Sequence, residues 1–231
     1  MVKPHFETND LQATLEPLYQ RVLERFQLPN LRLLCFFDVQ NPKHFDQKFG
    51  CKYRGLHRTV HGIGYVPPHL QQHFFDVSGG FAFDNVVYLP GRTCVAKAGA
   101  VITFAHELQH FVQHGSAYKV LVANNLLSEN LLGFDPDSPA KAWHIPHEQD
   151  AMLVSKRVAE AVLGTEVVSQ HVESRIAAQD DLLYWQYFQN LSADSPFDLL
   201  AQTIPWVDKY RPQLLALQQT KVDFSQTEWW Q

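Results

Sequence analysis

His106-Glu107-Leu108-Gln109-His110 forms an HExxH sequence. Side chains four apart on an α-helix lie one above the other, so both imidazoles could point at a single ion. Zinc accepts neutral imidazole nitrogen at about 2.0–2.1 Å and, in catalytic sites, keeps one of four tetrahedral positions open. Glu107 follows the first histidine directly, which puts its carboxylate beside an ion rather than on it. From there it could take a proton from water and later return it to a leaving amine.

A third protein donor is required, and several residues compete for the place. His114 continues the series, but three residues over two turns span about 12 Å along the axis, too far for one ion. A metzincin-like HExxHxxGxxH arrangement fails, because Gln113 and Ser116 stand where its glycine and third histidine belong. Carboxylates remain. Glu129 follows His110 after 18 intervening residues but falls late in an expected second helix, about 20 Å along it from Ser116. Glu148 stands in the first turn of another expected helix, with Ala151, Ser155 and Ala159 forming a small-residue strip that permits close packing. Geometry favours Glu148 over Glu129, and Asp150 reads as a cap or a supporting group behind the donors.

The elements that must hold these residues follow from the pattern. Residues 11–28 show helical periodicity, and Leu31–Phe37 and Asn85–Leu89 read as strands rich in apolar and β-branched residues. Between Ala98 and His114 apolar residues recur on one helical face, with both motif histidines off that stripe and Gly115 as the expected stop. A second helix is expected over Ser116–Leu132. A third should run from Pro146 to Leu163, with Gly164 ending it. Further helices are expected near 168–190, 196–204 and 206–219. With no repeat and no linker, residues 1–231 read as a single domain of α+β class with a helical C-terminal half.

Composition narrows the function classes. The 231 residues are 45% hydrophobic and 13% aromatic, enough for a sizeable core and too apolar for a disordered chain. Nineteen basic against 24 acidic residues give a net charge of -5, with no basic run longer than two, so nucleic acid is not expected as a partner. No apolar run reaches the roughly 18 residues of a membrane span, and MVKPHFETNDLQ lacks the apolar core of a secretion signal. Three cysteines without a CxxC pair suit reduced thiols, so a cytoplasmic location is expected. Cys94 reads as a small buried residue. The pairs His57/His61 and His69/His73 lie among glycines and prolines and read as surface residues, and the aromatics from Tyr184 to Phe188 read as core.

The HExxH helix followed by Glu148-x-x-Ala151-x-x-x-Ser155 resembles the zincin metallopeptidases of the gluzincin group. Its spacing is similar to the ImmA/IrrE-type proteases that cut bacterial and phage repressors. The resemblance spans residues 100–160. It implies a zincin-like α+β fold, a small mixed sheet beside an active-site helix, zinc on His106, His110 and Glu148, and Glu107 as general base. It also implies that a sheet edge, for which Asn85–Leu89 is well placed, holds the substrate as an added strand, while the same segment reads equally as an ordinary core strand. Tyr118, His144 and His147 are candidates to donate to the oxyanion, but each reads first as a structural residue because nothing fixes its direction.

The expected activity is therefore that of a zinc-dependent endopeptidase acting on a protein or peptide. Narrow specificity, a regulatory partner or export would restrain it. The rival readings are a catalytically silent zincin-fold protein that binds a peptide or partner, and a metallohydrolase of a non-peptide amide.

Overall fold

A computed structural model describes residues 13–18, 20–21, 33–38, 56–59, 85–116, 145–199, 201–203, 205 and 208. The elements are β1 (Leu33–Asp38), β2 (Leu56–Thr59), β3 (Asn85–Pro90), α1 (Gly91–Cys94), α2 (Lys97–Ser116), α3 (Pro146–Leu163), α4 (Thr165–Ala177) and α5 (Leu182–Asn190). Residues 13–18 are also helical and bury Leu15 and Leu18.

The described chain is mainly helical, which corrects the expected α+β class with its zincin-like mixed sheet. Three strands of only six, four and six residues pair in the order β1-β3-β2. Against them stand helices of 20, 18, 13 and 9 residues that make most of the core. The physical reason is visible in the pattern. Long windows with apolar residues three and four apart outweigh two short β-branched runs.

Strand β3 lies in the middle of this ladder, parallel to β1 and antiparallel to β2. Val87, Tyr88 and Leu89 are fully buried, as expected of an inner strand covered on both faces. Both of its hydrogen-bonding edges are taken. Of the two readings of Asn85–Leu89, the ordinary core strand is the one found, and the added-strand reading is corrected, since augmentation needs a free edge.

From β3 the chain passes through Pro90 and the single turn α1 into α2. This helix is the centre of the structure. Between Val101 and Gln113 every residue is buried except His106 and Gln109, which are half-buried. A helix covered nearly all round is a core helix rather than a surface one, so the expected one-sided amphipathic pattern is also corrected. Phe104 and Phe111 are fully buried here, and removing such a side chain from water contributes about 1.5–3 kcal/mol. The helix runs through Gly115 to Ser116 instead of stopping at the glycine. A glycine costs a helix only about 1 kcal/mol, which packing readily offsets.

At Gly99 the reason for glycine is close approach. A Cβ there would stand 3.3 Å from the imidazole of His171 on α4 and 3.4 Å from the Thr93 carbonyl. Helix α4 can therefore lie directly on the start of α2.

Helix α3 begins and ends as the sequence predicts. Pro146 occupies the first turn, where its missing N–H costs nothing. Gly164 closes the helix with φ 89, a left-handed value that suits glycine, and donates its N–H to the Glu160 carbonyl at 2.9 Å. Ala151, Ser155 and Ala159 are completely buried and share a helical face with Glu148. Small side chains on that face bring the α3 backbone close to α2, and no other pair of described elements packs as extensively.

The expected helix over 168–190 is two helices. Gln179 and Asp181 take φ values of 53 and 50, and the chain turns there before α5 starts. Trp185 and Phe188 of α5 join Val168 and Val172 of α4 in the common core.

Candidate metal centre

Two helices deliver the site. His106 and His110 stand on successive turns of α2, about 6 Å apart along the axis. Glu148 stands in the first turn of α3. There its negative charge also suits the positive end of the helix dipole.

The donor atoms converge. His106 Nε2 and His110 Nε2 are 3.0 Å apart. Glu148 Oε2 lies 3.2 Å from His106 Nε2, and Glu148 Oε1 lies 3.4 Å from His110 Nε2. The two imidazoles meet edge to face, with centroids 4.7 Å apart and planes at 87°. This is a group of two histidines and one glutamate within metal-binding distance, and it is compatible with a metal ion. A tetrahedral ion with donors at 2.0–2.1 Å separates those donors by about 3.3 Å. The two Nε2 atoms approach that spacing, Glu148 meets each with a different oxygen, and one donor atom from each residue lies within 4.8 Å of the others.

The donors are largely enclosed. The side chains of His106 and His110 are 13% and 11% exposed and that of Glu148 27%. Burial disfavours a charge on His110. The neighbouring Glu148 charge and its hydrogen bond outweigh that, helped by Glu107 and Gln113, and push His110 up to about 9. Burial also disfavours the Glu148 carboxylate. The charge on His110 and the hydrogen bonds from His106, His110 and His147 nevertheless hold it well below the usual range. Without an ion, a proton on His110 thus balances Glu148. An ion would replace that proton, since only the free nitrogen lone pair can bind a metal.

Glu107 is buried at 7% exposure, and its charge is felt at His110. It follows His106 directly in the same helix and is near enough to the donors for that effect.

Behind the donors is a polar layer that sequence reasoning largely missed. Gln113 Oε1 lies 2.9 Å from His110 Nδ1. Gln113 Nε2 donates to the His147 carbonyl at 2.9 Å and to Asp150 Oδ2 at 2.8 Å. Gln109 Nε2 donates to the same Asp150 oxygen at 2.6 Å. Asp150 therefore does stand behind the donors, as expected. Gln113 had a legible signal, since it follows His110 by three residues on the same helical face. Its partners come from α3, 34 and 37 residues away, and no local pattern announces them.

His147 is drawn into the same cluster. Its ring is 4% exposed, its Nε2 lies 3.2 Å from Glu148 Oε1, and its centroid is 5.5 Å from that of His110. Burial lowers its pKa, with Glu148 acting in the opposite sense. A neutral ring donating from Nε2 steadies the glutamate. Of the candidate oxyanion donors it is the one among the described residues, and it is engaged with Glu148. Gln149 Nε2 donates to Tyr187 Oη at 3.0 Å and so fastens the same turn of α3 to α5.

Glu129, Tyr118 and His144 lie outside the described residues, as do His61, His69 and His73. His57 lies in strand β2, so helical spacing does not relate it to His61. Cys94 is buried and forms no disulfide, as its reading as a small buried residue requires. Among the described residues no helix is long and apolar enough to cross a membrane. Comparison of the chain with protein-family models, curated proteins and solved structures gave no match.

Proposed function

We propose that the chain is a zinc-dependent endopeptidase, with zinc held by His106, His110 and Glu148 and with Glu107 as general base. The observation that carries this reading is the convergence, from two separate helices, of two Nε2 atoms 3.0 Å apart with one Glu148 oxygen on each, at 3.2 and 3.4 Å. Three lone-pair donors so close together repel unless a cation or shared protons lie between them. Two imidazoles and one carboxylate form a donor set that suits zinc.

When bound there, zinc supplies Lewis acidity that polarises a carbonyl and acidifies water. The chain's own residues do the rest. His106 and His110 hold their Nε2 lone pairs on the site, and Glu148 supplies the negative charge that offsets part of the ion's. Glu107 accepts a proton on its carboxylate from the attacking water and delivers it to the amine nitrogen as the peptide bond breaks. His147 keeps Glu148 in place through its Nε2–H. A protein or peptide is the substrate, and a cytoplasmic setting agrees with three cysteines that form no CxxC pair.

One observation favours a second reading. The 3.0 Å contact between the two Nε2 atoms also suits an N–H···N hydrogen bond, so protons alone could hold the cluster in a protein that only binds a partner. Metal analysis and one substitution separate the two. The purified protein should carry about one zinc per chain, as a site with three protein ligands does. It should cleave unfolded protein or a peptide pool, and Glu107→Gln should lower cleavage by about 10²–10⁴-fold while zinc stays bound. A folded Glu107→Gln protein that cleaves at the wild-type rate removes the mechanism. Stoichiometric zinc without any cleavage points to the silent binding protein or to a non-peptide amide as substrate.

A further inference from the structure

We propose that Gln113 is a positioning residue that locks His110 in the Nδ1–H tautomer, with Asp150 and the His147 carbonyl as its anchors. The inference rests on the metal reading of His106, His110 and Glu148.

Hydrogen-bond arithmetic gives the argument. The Gln113 side chain has one donor end and one acceptor end, which look alike in shape and are told apart only by their partners. One end faces the His147 carbonyl at 2.9 Å and the Asp150 carboxylate at 2.8 Å. A carbonyl and a carboxylate only accept, so that end must be the NH₂ group, and both of its hydrogens are used. The other end is then the oxygen, and it faces His110 Nδ1 at 2.9 Å. An oxygen only accepts, so His110 Nδ1 must carry a hydrogen. In the neutral ring the remaining lone pair then lies on Nε2, the atom 3.0 Å from His106 Nε2 and 3.4 Å from Glu148 Oε1. The nitrogen aimed at the centre is the one left free to bind an ion.

The anchors matter because a lone amide could turn over. Flipping Gln113 would set its oxygen against the His147 carbonyl and the Asp150 carboxylate, two acceptors at once. It would also set NH₂ against the Nδ1–H. Gln113 is 1% exposed, so water could not repair those losses. Gln109, donating to the same Asp150 oxygen, holds the anchor from the adjacent turn of α2. The network thus ties α2 to α3 and fixes the chemistry of one nitrogen.

His106 has no such support. Its Nδ1 is buried with no hydrogen-bond partner among the described residues. Only one of the two motif histidines is oriented through its far nitrogen, and the selection is specific to His110.

Zinc affinity is measured by competition with a chelator on the full-length chain. In parallel, nitrogen-15 spectra of the metal-free protein are recorded above the pH at which His110 gives up its proton, where the ring resonances distinguish the two tautomers. Gln113→Leu should weaken zinc binding by about 10–100-fold, the usual effect of losing a partner behind a metal ligand. Asp150→Asn should keep near-normal affinity, because its amide oxygen can still accept from Gln113, whereas Asp150→Ala should fall between the two. In the wild-type spectra His110 should show the Nδ1–H pattern, and this should be lost in Gln113→Leu. A folded Gln113→Leu protein with unchanged zinc affinity, or a wild-type His110 protonated on Nε2 instead, overturns the proposal. Should the wild type bind no zinc, the metal reading fails, and the tautomer pattern still decides the role of Gln113 by itself.

Discussion

The two halves of helix α3 face the protein with opposite chemistry. Its first turn presents His147, Glu148 and Asp150, each engaged by a polar partner from α2 or from its own turn. From Ala151 onward the same face presents Ala151, Ser155 and Ala159, all fully buried, in a core with Met152, Phe104 and Phe111. The apolar half holds the helices at a fixed distance without regard to pH or ions. The polar half stores charge that only a proton or a cation can balance. One helix therefore separates the task of holding the fold from the task of doing chemistry, and the two can be perturbed independently.

The strongest way to break that separation is to cut the core into which the apolar half packs. Phe104 is 0% exposed in the central helix, two residues before His106. Phe104→Ala should cost about 3–5 kcal/mol, combining lost burial with the cavity left behind. If the halves are independent, the loss measured by urea unfolding should be the same with chelator and with saturating zinc. The zinc-induced gain in stability, about 2.7 kcal/mol at a hundredfold excess over Kd, should survive in the variant. A loss that changes with zinc would mean that the core and the centre are coupled.

A subtler effect belongs to the polar half. The folded protein holds His110 at about 9, above its ordinary 6.5. A raised value means that folding favours the protonated ring, so its contribution is complete below 6.5 and is lost as pH climbs through 9. Above about pH 7.5 His147, lowered by burial, is neutral both folded and unfolded, and Glu148 is ionised in both states throughout. The stability of metal-free protein should therefore fall from pH 6.5 to 9, by at most about 1.4 kcal/mol per pH unit for one proton. Zinc should abolish the slope, because the bound nitrogen has no proton to lose. Calorimetry in buffers of different ionisation enthalpy should find close to one proton released per zinc near neutral pH. A flat metal-free profile over this range would show that His110 and Glu148 are not paired.

The contrast between the halves also explains what the sequence made legible. Pro146 and Gly164 bracket α3 because each acts through its own backbone, a local effect that a local reading finds. The HExxH spacing is local as well, and Glu148 was reachable because the strip of Ala151, Ser155 and Ala159 shows which face must approach a neighbour. The central place of β3 was not legible, since nothing in Asn85–Leu89 tells which strands flank it. Nor was the break between α4 and α5. It is made by Gln179 and Asp181 in left-handed conformations that ordinary residues seldom adopt, with no glycine or proline to mark them. The small share of strand followed the same rule, because pairing is a long-range choice while helix is a near one. Gln113 lay between the two cases. Its place beside His110 could be read, but its meaning depended on Asp150, brought in from another helix.

The smallest expected effect tests whether α3 has a third, purely structural role. Lys156 sits on its flank, and its ammonium donates to the carbonyls of Phe188, Gln189 and Leu191 at the end of α5. The Phe188 carbonyl also accepts the Leu191 N–H, but the helix ends here, so a cation adds a partner for these carbonyls and suits the negative end of the dipole. Arg157 does the same for the carbonyls of Ala193 and Ser195 just beyond. The Lys156 nitrogen also lies 5.8 Å from the centre of the Phe188 ring, so its stem covers part of the core. Lys156→Met keeps that stem and removes only the charge. It should lower stability by about 1 kcal/mol, the net value of a partly exposed charged hydrogen bond, and the loss should shrink in high salt. Zinc affinity should not move, because Lys156 lies two turns of α3 beyond Glu148 and touches none of its partners. A change in zinc affinity would show that the anchoring of α5 reaches the centre, through Gln149 and Tyr187, and that the two halves of α3 are less separate than their chemistry implies.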